Sequence, residues 1–260
     1  MQKSGIVEKR SISKIEFSVL DSIHRSGMVI FGARDLERLT GIKRGRCYQI
    51  ISRMKRKGLI SEIEAGKYSI VHGELDILSI ASHVVFPSYI SFWSALSWHG
   101  FTEQLPRTTF VVTTKRREEI EYEETRIKFV TLSPPRFFGY IRSEDVVIAD
   151  REKSLIDSLL LPRYAGGIKE VAKCLSNAWE EISEKTITDY TLRMGNASLI
   201  KRLGYLTKAL KLPIDKDLLK LKSNIGKGYS LLDPSSPKSK KYDHEWMLNL
   251  NVDIKKEAIL

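Results

Sequence analysis

The sequence predicts an α+β protein: a small helical N-terminal domain, then a mixed α/β domain whose C-terminal part is helical. Three observations carry that expectation. Apolar residues recur at helical spacing between Ser13 and Met54. Three runs rich in β-branched residues, at 109–114, 126–131 and 145–149, read as strands. From Gly167 onward the apolar spacing is again that of helices.

The N-terminal elements can be justified one by one. Ser13-Lys14-Ile15-Glu16 has the order of a capping box, so a helix starts there and turns Ile15, Val19, Leu20 and Ile23 inward. Gly27 is a C-cap residue that stops it. A short second helix spans 33–40, with Leu36 and Leu39 on one face, and Gly41 breaks it. In the third helix Cys47, Ile50, Ile51 and Met54 form one apolar stripe. Gln49, Ser52, Arg53 and Arg56 fall roughly opposite, with Arg46 and Tyr48 on the flanks. Gly58 ends this helix, and residues 59–70 read as a hairpin that turns through Glu64-Ala65-Gly66-Lys67. Three helices followed by a hairpin form the pattern of a winged helix-turn-helix over roughly residues 10–72.

Charge adds a functional reading. The 260 residues carry a net charge of +11, and it is unevenly spread. Residues 1–72 hold 15 Lys or Arg against 7 Asp or Glu, whereas the remaining 188 hold 28 against 25. Between Lys43 and Lys57 there are seven Lys or Arg and no acid. A merely solvated face would mix signs, because like charges at i, i+4 repel, so this helix predicts a polyanion partner. Arg44, Arg46, Gln49 and Arg53 are the candidates for reading base edges in a major groove. Lys43, Lys55, Arg56, Lys57, Lys67 at the wing tip, and Arg34 and Arg38 on the second helix are the candidates for phosphates.

The second segment, 73–222, opens with an expected helix at 75–84 and a break at Pro87. A further helix is expected at 89–99, closed by Gly100, and a charged turn at 115–124. Asp150 is placed to cap a helix over 151–161. Helices are expected at 168–179, 186–194, 197–212 and 215–221, the third carrying Leu199, Leu203, Leu206 and Leu210 on one stripe. The last segment, 223–260, contains Pro234-Ser235-Ser236-Pro237 and a lysine run, read as a mobile loop, before an apolar stretch at 242–252 expected to dock on the sheet.

Part of this second segment resembles a known family. The run YISFWSALSWHGFTEQLPRTTFVVTTKR is followed about 35 residues later by VVIADREKSLIDSLLLPRYAGG. Within them Ser94-Ala95-Leu96-Ser97 with His99-Gly100, Gln104-Leu105-Pro106, Ala149-Asp150, Glu152-Lys153 and Leu155-Ile156-Asp157 stand in an order similar to that of AbiEi antitoxins. These belong to abortive-infection toxin–antitoxin systems and related viral-defence regulators. The resemblance spans roughly 13–210, and an N-terminal winged helix precedes this segment in that family too. It implies an autoregulator binding inverted repeats in its own promoter, and a separately encoded nucleotidyltransferase-like toxin as a partner. Whether such a protein acts as a homodimer or as cooperative monomers on DNA is left open.

Other chemistries find weaker support. Asp145, Asp150, Glu152 and Lys153 invite a nuclease reading, yet Glu152 and Lys153 are adjacent and diverge by about 100° on a helix. Asp150 and Glu152 are what a helix N-terminus prefers. Ser94, Ser97 and His99 lie within two turns and lack a nucleophile elbow. Gly166-Gly167 before a helix is read as a plain helix start. Cys47 and Cys174 are far apart and read as small buried hydrophobes, and the five His show no metal-binding spacing, so no metal or cofactor is expected. With no apolar run of about 18 residues and no leader, a cytoplasmic protein is expected. The expected function is sequence-specific duplex-DNA binding without catalysis. The competing readings are a nucleic-acid-processing enzyme targeted by its winged helix and an adaptor that binds RNA or protein.

Overall fold

The computed structural model describes residues 11–70 and 77–254. The chain divides into two compact units, Met1–Val84 and Val85–Leu260. The architecture is α+β.

In the first unit α1 (Lys14–Ser26) starts with the capping box expected from sequence: the Ser13 N–H donates to Glu16 Oε2 at 2.8 Å. Gly27 closes it in the left-handed region at φ 63°. The second helix, α2 (Ala33–Thr40), ends at Gly41, and α3 (Arg44–Arg56) follows. Strands β1 (Ile60–Glu64) and β2 (Lys67–Ile70) pair antiparallel through a turn in which Gly66 takes φ 78°. Phe31 bridges to Tyr68 beside them, so the segment entering α2 lies along the hairpin. Gly32 is needed there, because a Cβ would stand 2.9 Å from the Gly66 carbonyl oxygen. Val19, Ile23, Phe31, Leu36, Cys47, Ile50, Ile51, Met54 and Ile60 form the core. This helix order and hairpin fit a helix-turn-helix with a wing. Leu39, expected beside Leu36, is instead 37% exposed. Ala33 and Leu36 define the buried stripe, and each step of three residues rotates it about 60°, which carries Leu39 to the rim.

The boundary between the units differs from the expected one near residue 72. Helix α4 (Ile77–His83) belongs to the first unit, where Ile80, Ala81 and Val84 are buried and Lys67 Nζ donates to the Val84 carbonyl at 2.6 Å. The first two residues of the helix expected at 75–84 lie outside the described residues.

The second unit begins with β3 (Ser88–Ile90) and α5 (Phe92–Trp98), where the sequence had suggested one continuous helix. Tertiary pairing decides this: Ile90 is hydrogen-bonded between two neighbouring strands, and Phe92 turns the chain at φ 53°. Then come β4 (Thr108–Thr113), β5 (Ile120–Tyr122), β6 (Thr125–Thr131), β7 (Tyr140–Ser143) and β8 (Val146–Ala149). They form one mixed sheet in the order β5-β6-β4-β3-β8-β7. Three of its strands, β4, β6 and β8, match the expected ones. Helix α6 (Arg151–Leu160) is buried from Lys153 through Leu160. Around it come α7 (Ile168–Ala178), α8 (Glu184–Arg193), α9 (Ala197–Ala209) and α10 (Asp215–Lys222).

The stretch at 242–252 does not dock on the large sheet, where the sequence had suggested it would. Short strands β9 (Ser230–Leu231), β10 (Tyr242–Asp243) and β11 (Leu248–Asn249) form a separate three-stranded sheet instead of extending the large one. Trp246 is fully buried and packs against α9, where Gly204 leaves room for its ring. Asn251 and Asn249 satisfy the polar loop: Asn251 Nδ2 donates to Asp233 O and Ser236 O, and Asn249 Nδ2 to Ser239 O. Among the described residues no helix is long and apolar enough to cross a membrane.

Candidate nucleic-acid interface

The apolar stripe of α3 is buried as the helical spacing predicts: Cys47, Ile50, Ile51 and Met54 are each at most 3% exposed. That burial fixes the rotation of the helix, and Arg46, Tyr48, Gln49, Ser52, Arg53 and Arg56 all face solvent. Arg46, Gln49 and Arg53 stand at i, i+3 and i+7 on this outer face. Seven residues of helix advance about 10 Å, the length of about three base-pair steps. Among the described residues neither Arg46 nor Arg53 has an acidic partner, and the same holds for Arg34 and Lys43.

The other predicted cations are engaged within the unit. Arg44 was expected to read a base, but its backbone N–H and its Nε both bond the Glu37 carboxylate at 3.1 Å. Glu37 thereby caps α3 from α2, where Lys43 offers no side-chain cap, and complements the positive helix N-terminus. Arg38 pairs with Asp35 at 2.6 Å and Lys55 with Glu62. Lys67 at the wing tip pairs with Glu64 at 2.8 Å, in addition to its bond to Val84. Solvent screens these exposed pairs and each costs side-chain freedom to hold, so a phosphate can compete for Arg38, Arg44, Lys55 and Lys67.

Lys57 requires a correction. Its ammonium lies 2.6 Å from Glu16 Oε2 and 2.9 Å from the Ser11 carbonyl oxygen. Glu16 is 1% exposed. Burial alone would push its carboxyl up, but the Lys57 ammonium and the Ser13 backbone N–H and hydroxyl hold it down at about 2. Lys57 is therefore the counter-ion of a buried carboxylate that fastens the end of α3 to the start of α1, not a free hand for phosphate. Helical spacing could not reveal this, since the pair is 41 residues apart.

One exposed group was given no role from sequence. Tyr48, 57% exposed, stands one position from Gln49 on the flank of the same face. Its signal in the sequence was only its position on the helical wheel.

In the second unit two of the acids weighed for catalysis, Asp150 and Glu152, are held by structure, and the third, Asp145, is exposed. The Asp150 carboxylate accepts from the Lys153 N–H at 2.7 Å, as an N-cap, and from the Tyr190 hydroxyl at 3.0 Å. Glu152 Oε1 accepts from the Ser183 N–H at 2.8 Å. Lys153 is fully buried and paired with Asp157, whose carboxylate also accepts from Tyr89 and Ser91 hydroxyls. Burial and the Asp157 charge raise the Tyr89 hydroxyl well above its ordinary value, so Tyr89 stays a donor. Ser94 ties α5 to β4 by accepting from the Phe110 N–H at 3.0 Å, and His99 Nε2 lies 2.9 Å from the Ala149 carbonyl oxygen. His99, Asp150 and Glu152 do meet at an open cavity of about 360 Å³ that Trp98 and Ile141 also line. Among the described residues no group of three His, Cys, Asp or Glu could hold a metal ion. Cys47 and Cys174 are both buried free thiols.

No family model matches the chain, and no curated protein does. Among solved structures the chain is similar to the crystal structure of the RV2827C protein from Mycobacterium tuberculosis, with a TM-score of 0.64 at 13% identity. The match covers 92% of each chain, so the likeness extends through both units. At that identity it is a likeness of fold.

Proposed function

We propose that this protein is a sequence-specific duplex-DNA-binding regulator that works through the outer face of α3. The observation that supports the reading is the pairing of two opposite faces on one helix. The inner stripe is fully buried, and the outer face carries Arg46, Gln49 and Arg53 with no acid to neutralise the arginines among the described residues. Arg46 and Arg53 have the donors for guanine O6 and N7, and Gln49 has the amide for adenine N6 and N7. Arg34 on α2 and Lys43 before α3 are exposed and suit phosphates, which position the helix without reading sequence.

The regulatory setting we propose is autorepression, with the chain binding upstream of its own gene. The antitoxin-type role, opposed to a separately encoded nucleotidyltransferase-like toxin, rests on the sequence resemblance to AbiEi antitoxins. Fluorescence anisotropy with a duplex from the gene's own upstream region and a scrambled duplex, over a series of salt concentrations, tests the reading. Specific binding on the order of 10³ tighter than non-specific, persisting at about 150 mM salt, is the expected result. Equal affinities that fall together along a steep salt slope would mean counterion release alone, and sequence-specific regulation would be refuted.

A further inference from the structure

We propose that the C-terminal sheet of the second unit carries a separate site for single-stranded nucleic acid, built on Tyr229 and Tyr242. These residues come from segments 13 positions apart, yet their rings meet at 5.1 Å, edge to face at 77°. Both stay nearly half exposed, at 47% and 46%. His244 extends the cluster: its Nδ1 lies 2.5 Å from the Tyr229 hydroxyl. An edge-to-face pair with this exposure leaves ring face open to a flat ligand.

Lysine dominates the segments that lead into this pair; of the acids that follow Tyr242, Asp243 accepts from the Trp246 N–H and Glu245 pairs with Lys208 and Lys222. Between positions 220 and 242 there are six lysines and one acid. That acid, Asp233, is buried and turned inward, where its carboxylate accepts from the Ile168 and Ser235 N–H groups. Lys220 and Lys222 are paired with Asp217 and Glu245. Lys227, Lys238, Lys240 and Lys241 are exposed and have no acidic partner among the described residues. Lys227 stands two residues before Tyr229, and Lys240 and Lys241 immediately precede Tyr242.

The platform is held before any ligand arrives. The buried Lys201 ammonium donates to the Gly228 carbonyl, directly ahead of Tyr229. Ser198 and Ser230 hydroxyls bond at 2.9 Å, and Trp246 anchors the turn after Tyr242 beneath the surface. Fixed aromatic faces beside unpaired cations are what unstacked bases and their phosphates require. A duplex hides its base faces, so exposed rings favour single strands. The unpaired lysines likewise favour a polyanion over an apolar protein partner.

The test uses the full chain and fluorescein-labelled oligo(dT) and oligo(U) 20-mers in anisotropy titrations. Replacing both tyrosines, Tyr229→Ala with Tyr242→Ala, is expected to weaken binding at least about tenfold. The double Phe variant is expected to bind as the parent does, because it keeps the rings. The charge reversal Lys240→Glu with Lys241→Glu gives a second, fold-neutral route to the same loss. A preference for one of the two oligomers identifies DNA or RNA as the source. Unchanged affinity in the alanine variant, equal loss in the phenylalanine variant, or no binding by the parent protein would overturn the proposal. Loss on changing Arg46 and Arg53 alone would assign single strands to α3 and also overturn it. None of these outcomes touches the duplex reading, which depends on the first unit.

Discussion

Replacing Lys57 by alanine separates a structural cation from a DNA contact. In the folded protein Glu16 titrates at about 2, against an ordinary 4.5. That difference corresponds to about 3 kcal/mol of net stabilisation, what the groups favouring the carboxylate leave after burial has opposed them. Lys57 shares it with two contacts from Ser13, and Glu16 lies just beneath the Lys57 side chain, so water enters once that side chain is gone. We therefore assign about 1–2 kcal/mol to Lys57, below the 3–5 kcal/mol typical of a deeply buried pair. The pH dependence has a definite sign. The carboxyl is depressed in the folded state, so its contribution is complete above pH 4.5 and is lost as pH falls toward 2. In Lys57→Ala the loss across that window shrinks. All four tryptophans lie in the second unit, so their fluorescence is blind to this change. Hydrogen–deuterium exchange of peptides from α1 and α3, at pH 7 and near pH 3, reads it directly. The expected result is faster exchange of both helices at pH 7 and a smaller acid-induced change than in the parent. Unaltered protection together with a uniform loss of DNA affinity would return Lys57 to the phosphate-binding set and refute the reassignment.

Three further outcomes are expected. Arg53→Ala costs about 1–3 kcal/mol on the preferred duplex and relaxes specificity at one base pair, read by anisotropy on a set of single-base variants; equal loss on every duplex would make Arg53 a phosphate contact. In Gly204→Ala the added Cβ would stand 2.1 Å from the Trp246 ring, so the indole is displaced, its fluorescence shifts toward that of solvated tryptophan, and the second unit loses about 1–3 kcal/mol or more. An unmoved emission maximum and melting temperature would contradict the packing. Asp157→Ala strands the buried Lys153 charge and leaves the Tyr89 and Ser91 hydroxyls without their acceptor, a loss of about 3–5 kcal/mol in urea unfolding; the double change Lys153→Met with Asp157→Leu costs less, and the opposite order would contradict the ion-pair account.

Local signals in the sequence determined much of this protein. The capping box at Ser13, the glycines after α1 and α2, and the apolar stripe of α3 each act within a few residues, so each was legible. The stripe also determined which side of α3 faces outward, and with it the exposure of Arg46, Gln49 and Arg53. What pairs across the chain was decided only by tertiary structure. Tyr89 and Ile90 look helical in isolation and become a central strand because β4 and β8 supply partners on both sides. Lys57 and Arg44 look like free cations until Glu16 and Glu37 reach them from other helices. The stretch at 242–252 reads as an addition to the large sheet until Trp246 finds the space above Gly204 and the segment forms a sheet of its own. The physical reason is common to all four cases: hydrogen bonds, ion pairs and cavities join residues on different elements, from seven positions apart for Glu37 and Arg44 to 41 for Glu16 and Lys57, and no helical or strand spacing records them.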